Sequence, residues 1–459
     1  MKIAVLGGGP GGYEAAIAAA KKGAEVVLIE KDKVGGTCLN RGCIPTKALL
    51  ASYEVYETAE EAADFGINIS GEITVDYAAI IARKNKVATS LVKGIHYLLE
   101  KNGVTYINGF GTMIDKNTIE VTMEDGTKQT VTVDYTILAT GSVPICPGMF
   151  HFDGKRVITS DEILDMTECP KSVILVGGGV IGCEIGQFLS KMGTEMTIVE
   201  MLPQILPTMD EDVAKQLARQ FKKEKIKMIT GDGIAEVVVK DTSVAVKLQS
   251  GKELEADYLL VAIGRMPFTK GAGLETVGVE LTERGRVKVN EYLQTTVDNI
   301  YAIGDIIDSA MLAHVASKEG LIAVANIIDG AKEIPTYHAV PGCVYTNPEV
   351  ASVGATEAEL IKKGIAYHTG TFDFKGLGKA QASGKITGFV KVIADENDVI
   401  LGGAIVGAHA TDMLQVLTMA TQLKMTAKVV GDCIFPHPTM SEAIMEALHD
   451  LHGASIHKA

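Results

Sequence analysis

Residues 3–30 read IAVLGGGPGGYEAAIAAAKKGAEVVLIE, and residues 173–200 read VILVGGGVIGCEIGQFLSKMGTEMTIVE. The two stretches match at a constant offset of 170, so Gly7, Gly9, Gly12 and Glu30 fall on Gly177, Gly179, Gly182 and Glu200. Each copy runs from an apolar segment through a glycine turn into an amphipathic stretch, and ends in a second apolar segment closed by glutamate. That order predicts a βαβ unit. The glycines have separate tasks. The first allows the tight turn out of the strand, the second lets a pyrophosphate approach the backbone, and the third lets helix and strand pack closely. The helix N-terminus offers free N–H groups to the phosphates. The closing glutamate is placed to accept hydrogen bonds from ribose hydroxyls. One such fingerprint is weak evidence; two, each in full strand–helix–acid context, predict two dinucleotide sites.

A second echo lies downstream of each copy. Asp134-Tyr-Thr-Ile-Leu-Ala-Thr140-Gly141 resembles Asp257-Tyr-Leu-Leu-Val-Ala-Ile-Gly264, each a β-rich run ending in Ala-x-Gly. Pro144 and Pro147 follow the first run, Arg265 and Pro267 the second, as breakers at domain crossings do. A third run, Ile300 to Asp305, predicts that the chain returns to the first unit. After Glu200 the chain reads Met201-Leu-Pro-Gln-Ile-Leu-Pro207, without Arg or Lys. A carboxylate with no cation beside it disfavours the 2′-phosphate of NADP, so the second site favours NAD.

Composition sets outer bounds. The 459 residues suggest about three domains. With 47% hydrophobic and 22% charged residues, disorder is excluded as the main state. The 49 glycines follow no G-X-Y period, which excludes collagen. A net charge of −14 disfavours nucleic acid and anionic membranes as partners. No apolar run approaches the ~20 residues of a spanning helix. Met1-Lys2-Ile3 enters the first strand at once, which leaves no room for a signal peptide. Seven cysteines do not read as a secreted disulfide framework. A cytoplasmic, thiol-reducing setting is expected, with no resident metal.

Two of the cysteines lie five apart in Gly35-Gly-Thr-Cys38-Leu-Asn-Arg-Gly42-Cys43-Ile-Pro-Thr-Lys47. In a regular helix such positions are about 8–9 Å apart at Cα, beyond the ~7 Å limit for a disulfide. A bridge here needs an irregular turn, which Gly42 eases. Two buried apolar cysteines, or half of a metal site, would also fit. Zinc requires further ligands at compatible spacing, however, and no second cysteine pair exists. The other five cysteines, Cys146, Cys169, Cys183, Cys343 and Cys433, read as small packing residues. Near the end, His437 lies between Pro436 and Pro438, with Glu442 five residues on. A histidine pinned by prolines beside a carboxylate suits a general base for a thiol.

In these motifs the chain resembles the flavin-dependent pyridine nucleotide–disulfide oxidoreductases over nearly its whole length. The carriers are Gly-Gly-Thr-Cys38…Cys43-Ile-Pro, Ala139-Thr140-Gly141-Ser142, the second glycine motif with Glu184, Gly304-Asp305, Met311-Leu-Ala313-His314, and His437-Pro-Thr with Glu442. Thr37-Cys38-Leu39-Asn40, the NAD-like second site and Ser317-Lys-Glu-Gly320 point to the branch that oxidises protein-bound dihydrolipoyl groups.

The resemblance implies an α/β fold with two doubly wound, Rossmann-like nucleotide-binding domains and a C-terminal α+β dimerisation domain. The expected division is 1–144 for FAD, 145–267 for NAD, 268–335 as a central segment completing the FAD domain, and 336–459 as the interface. FAD would lie on Gly7, Gly9 and Gly12. Glu30 would hold its adenosine ribose and Asp305 its ribityl chain, with Lys47, Thr140, Gly141, Ser142 and Ala313 also at the cofactor. NAD would lie on Gly177, Gly179, Gly182, Glu200 and Gly264. Cys38 and Cys43 would form the redox disulfide, and Lys47 and Glu184 an ion pair beside the flavin. His437, oriented by Glu442 and preceding a cis proline, would serve the active site of the second subunit of a homodimer. Two alternatives are an NAD(P)H-dependent reductase of another disulfide and a flavin-bearing structural subunit of a multienzyme complex.

Overall fold

The structure, a computed structural model, describes residues 1–458. Both repeats fold as strand–helix–strand: Lys2–Leu6, Pro10–Lys21 and Glu25–Glu30 in the first, Ser172–Val176, Val180–Lys191 and Glu195–Glu200 in the second. Each central strand is a run of β-branched and aliphatic residues buried on both faces, as an all-parallel sheet requires. The first sheet has the strand order 300–302, 135–138, 2–6, 25–30, 105–108. The second has 227–230, 195–200, 172–176, 258–261, 157–159. All eight pairings are parallel. The strand Ile300–Ala302 pairs beside Tyr135–Leu138, so the chain does return to the first sheet.

The duplication extends further than the sequence match. A three-stranded antiparallel excursion, with strands 110–115, 118–122 and 128–132, interrupts the first unit. Strands 234–239, 244–248 and 253–256 interrupt the second at the same place. The units are then joined by a two-stranded antiparallel ribbon in which Arg265, Met266 and Pro267 face Pro144, Val143 and Ser142. The prolines thus mark a crossing. The helix Ala313–Ile328 seals the first unit against Pro10–Lys21. A Cβ on Gly11 would lie 2.9 Å from the Ala316 carbonyl oxygen, and one on Gly320 2.7 Å from that of Gly11.

Residues 342–407 form a five-stranded antiparallel sheet, in the order 342–344, 349–354, 400–407, 389–394, 368–373. The helices Ala410–Gln422 and Glu442–Asp450 pack on it around a core of Phe374, Ile405, Leu417 and Ile444. This sheet is fastened to the second unit by Lys391, whose side chain is 2% exposed. Its ammonium lies 2.9 Å from Asp210, 2.7 Å from Asp212 and 2.8 Å from Glu357. These carboxylates converge as a metal site would need, and the ammonium fills the place. Among the described residues no helix is long and apolar enough to cross a membrane.

Candidate active site

The two glycine loops open onto one continuous cleft of about 1470 Å³ between the two parallel sheets and the C-terminal sheet. Loop geometry separates the glycine tasks. Gly7 and Gly177 have φ of +104° and +106°, and a Cβ there would lie 2.1 and 2.5 Å from the carbonyl oxygens of Ala139 and Ala262. A Cβ on Gly12 or Gly182 would strike its own loop, 1.9 and 2.1 Å from the oxygens of Gly7 and Gly177. Gly9 and Gly179 meet no atom closer than 4.0 Å, because their missing side chains face the cleft.

Both loop helices begin at these open glycines with no side-chain cap, and the helix starting at Ala313, which follows Leu312, has none either. By contrast, the helices beginning at Tyr77 and Glu357 are capped by Asp76 and Thr356. Uncapped N–H groups turned into an open cleft are what phosphate oxygens satisfy. Glu30 and Glu200 stand in equivalent places. Glu30 accepts from the Gly8 amide at 2.7 Å and the Asp32 amide at 2.8 Å, Glu200 from those of Gly178 and Leu202, both at 2.7 Å. Each carboxylate is thereby fixed while its oxygens keep a lone pair for a ribose hydroxyl. The residues present therefore fit two dinucleotides. A Gly12→Ala chain is expected to lose about 1–3 kcal/mol of stability and most of its bound flavin, read by thermal melting and by flavin absorbance per chain.

The cysteine segment lies in the same cleft. The helix Gly36–Arg41 carries Cys38, breaks at Gly42 (φ −147°, ψ −113°), and restarts as Cys43–Glu60. Gly42 is the irregular turn that the five-residue spacing demanded. A Cβ on it would lie 3.0 Å from the Thr37 carbonyl oxygen. Both cysteines are free thiols here. They are unequal. The hydrogen bond from Cys38, helped by the Lys47 ammonium, outweighs burial and brings Cys43 down to about 7, while the same hydrogen bond and burial push Cys38 up. Cys43 sits in the first turn of its helix, where the dipole favours a thiolate, and Lys47 lies four residues on, along the same face. In the reduced protein, site-resolved alkylation of Cys43 should rise as pH increases through about 7 rather than through the ordinary thiol range near 8.5. A midpoint at the ordinary thiol value would contradict this ordering.

Lys47 donates to both carboxylate oxygens of Glu184, at 2.9 and 2.8 Å. Glu184 also accepts from the Tyr345 amide at 2.9 Å, and the Lys47 ammonium lies 4.3 Å from the Tyr345 ring centre. The pair thus joins the cysteine helix, the second loop helix and the C-terminal sheet. Ser142 donates to Asp305, and both line the cleft with Thr140, Gly141, Ala313 and Gly264.

His437 and Glu442 lie outside this cleft. The His437 Nδ1 is 2.8 Å from Glu442, and the imidazole is 77% exposed. The His437–Pro438 peptide is cis. Burial alone would raise the Glu442 carboxyl, but the Thr439 amide and the His437 ring together hold it below the usual range. Sequence reasoning missed Arg265, whose guanidinium crosses between segments, and Tyr345, which no local signal marks. The packing reading suits buried Cys183. It fails for Cys433, which is exposed, and for Cys343, which lines the cleft. Isolated cysteines carry no positional signal for such placement.

Two dinucleotide loops on either side of a thiol pair define a two-nucleotide disulfide oxidoreductase. The comparisons agree. Residues 1–320 match the model of the pyridine nucleotide-disulphide oxidoreductase family, and residues 340–448 match that of its dimerisation domain. The chain is 42% identical over 470 residues to the dihydrolipoyl dehydrogenase of Bacillus subtilis, covering 99% of this chain and 98% of that one. It is 40% identical to the mitochondrial dihydrolipoyl dehydrogenase 1 of Arabidopsis thaliana, covering 99% and 91%. The structure superposes on LpdA from Mycobacterium tuberculosis with a TM-score of 0.92 at 29% identity, over 98% of this chain and 99% of that one. It superposes on the HOCl-induced flavoprotein disulfide reductase RclA from Escherichia coli with 0.87 at 25% identity, over 98% and 99%. The chain belongs to the pyridine nucleotide-disulphide oxidoreductase family. Its cofactors are FAD and NAD.

Proposed function

We propose that this chain oxidises protein-bound dihydrolipoyl groups to the cyclic disulfide and reduces NAD, as a homodimer in the cytoplasm. The observation that carries the reading is the unequal thiol pair, Cys43 beside Lys47 and Glu184, set between the two glycine loops. The near-full-length identity to dihydrolipoyl dehydrogenases supports the substrate. The bare surroundings of Glu200, followed by exposed Met201 and Leu202, support NAD over NADP. The division into 1–144, 145–267, 268–335 and 336–459 belongs to the same reading, and the ribbon of 142–144 with 265–267 supports its first crossing.

The chain's residues then act as follows. His437, held through Nδ1 by Glu442, takes a proton at Nε2 from one substrate thiol. Its exposure and its place outside the cleft favour action on the cleft of the second subunit. The substrate thiolate attacks Cys38 Sγ; the Cys38–Cys43 bond breaks and Cys43 leaves as thiolate, stabilised by Lys47. The second substrate sulfur, once deprotonated, attacks the first. It closes the lipoyl ring and releases Cys38 as a thiolate that takes up a proton. Bound FAD supplies a two-electron relay between the Cys43 thiolate and the nicotinamide. Gly9, Gly12, Glu30, Ser142 and Asp305 hold one dinucleotide, Gly179, Gly182, Glu200 and Gly264 the other, and Lys47 with Glu184 orders the contact between them.

The test is an anaerobic absorbance spectrum of the holoenzyme before and after dihydrolipoamide. A new long-wavelength band is expected, from Cys43 thiolate beside oxidised flavin. An unchanged spectrum, with NADH still bleaching the flavin, would overturn the lipoyl assignment and leave another disulfide as substrate.

A further inference from the structure

Arg265 takes part in none of the steps above, yet its guanidinium lies where separate segments converge. The residue opens the strand by which the chain leaves the second dinucleotide unit, paired with the strand 142–144 by which it entered. The side chain turns inward from this ribbon. Its Nε donates to Ser142 Oγ at 2.8 Å. One terminal nitrogen donates to the Ser142 carbonyl oxygen at 2.7 Å and to Thr37 Oγ1 at 3.2 Å. Ser142 Oγ in turn donates a hydrogen bond to Asp305. Thr37 immediately precedes Cys38, in the short helix that Gly42 ends.

The surroundings bear this out as a built arrangement. The Asp161 carboxylate faces the same guanidinium from the adjoining segment of the second unit, and one of its oxygens is buried without a hydrogen-bond partner. Arg41, next to Gly42, stands 4.0 Å from Asp161 and also contacts Asp32. Only a planar fork meets three acceptors in fixed directions; an ammonium on a flexible stem does not.

We propose that Arg265 is a positioning residue for the redox turn: it fastens Thr37, and with it Cys38, to the ribbon joining the two nucleotide units. The short helix Gly36–Arg41 is too brief to hold itself, and its N-terminus has no side-chain cap. This external hold acts on its Thr37 end, while Asn40, donating to the Val34 and Gly36 carbonyls, and Arg41, on Asp32, hold its other end. The inference rests on the assignment of Cys38 and Cys43 as the redox pair.

The experiment uses wild-type holoenzyme, Arg265→Met, Arg265→Lys and Thr37→Val. Two rates are compared: anaerobic reduction by dihydrolipoamide, which enters at Cys38, and electron transfer from NADH to ferricyanide, which needs no cysteine pair. The ratio of the first to the second is expected to fall about tenfold in Arg265→Met and about threefold in Arg265→Lys and Thr37→Val, as the loss of charge-assisted hydrogen bonds implies. Site-resolved alkylation of the reduced protein should show the preference between Cys38 and Cys43 shifting in the same variants. A ratio unchanged in Arg265→Met overturns the proposal. So does a fall there with Thr37→Val at the wild-type value, since the guanidinium would then serve the ribbon alone. Should Arg265→Met lose its flavin, Thr37→Val decides. If wild type is reduced by dithiothreitol but not by dihydrolipoamide, the substrate reading fails, and the same ratio taken with dithiothreitol still tests Arg265.

Discussion

A Cys43→Ser chain is expected to lose dithiol oxidation by a factor on the order of 10³ or more, as removal of a covalent participant does. It should keep its flavin and still pass electrons from NADH to a dye. The reason is covalent rather than geometric. Substrate oxidation proceeds through a sulfur–sulfur bond that breaks with Cys43 as leaving group, and serine forms no such bond. The leaving group is also the better thiolate of the pair, because its helix N-terminus, the Cys38 thiol and Lys47 all favour the charge. Cys38→Ala should abolish dithiol oxidation equally, yet leave Cys43 without its hydrogen-bond donor and so with a higher titration midpoint. Steady-state oxidation of dihydrolipoamide measures the first effect, and site-resolved alkylation against pH the second. Dithiol oxidation retained in either variant would remove the redox pair from the mechanism.

The second large effect is expected at His437. His437→Gln should lower dihydrolipoamide oxidation by about 10²- to 10⁴-fold, the usual range for a positioned acid–base group. Glu442→Gln should lower it less, because the ring stays while its orientation and charge support are lost. Glu442 is held below the ordinary carboxylate range. Its support for the fold is therefore complete above that range and is lost only as pH falls through the depressed value.

Whether His437 serves its own cleft or that of a second copy can be read directly. Co-expression of Cys43→Ser and His437→Gln chains forms mixed dimers. If the histidine acts across the interface, each mixed dimer holds one intact site, and about a quarter of wild-type activity returns when the chains pair at random. If it acts within its own chain, none returns.

Much of this site was legible because its parts are local. A glycine loop, its helix N-terminus and its closing acid lie within 28 residues, so the same pattern at 3–30 and 173–200 reads as two phosphate cradles without reference to the rest of the chain. The five-residue spacing of Cys38 and Cys43 demanded a broken helix, and Gly42 alone between them could supply it. The prolines at 144 and 267 marked a crossing for the same reason, since backbone restrictions act on the residue itself.

Tertiary structure decided what depends on distant groups meeting. The extension of the repeat through the two three-stranded excursions is invisible in sequence, because backbone pairing rather than residue identity preserves it. Lys47 meets Glu184 across 137 positions, and Arg265 meets Thr37 across 228. Lys391 reads as an ordinary surface charge until three carboxylates from two other elements close around it. The inequality of the two thiols belongs here as well: it arises chiefly from the hydrogen bond between them, in which folding makes Cys38 the donor and Cys43 the acceptor. Sequence alone determined which chemistry the chain can carry, since that resides in residue types at short spacing. The fold determined which thiol bears the charge and which arginine holds the turn, since electrostatics and hydrogen bonding act through space.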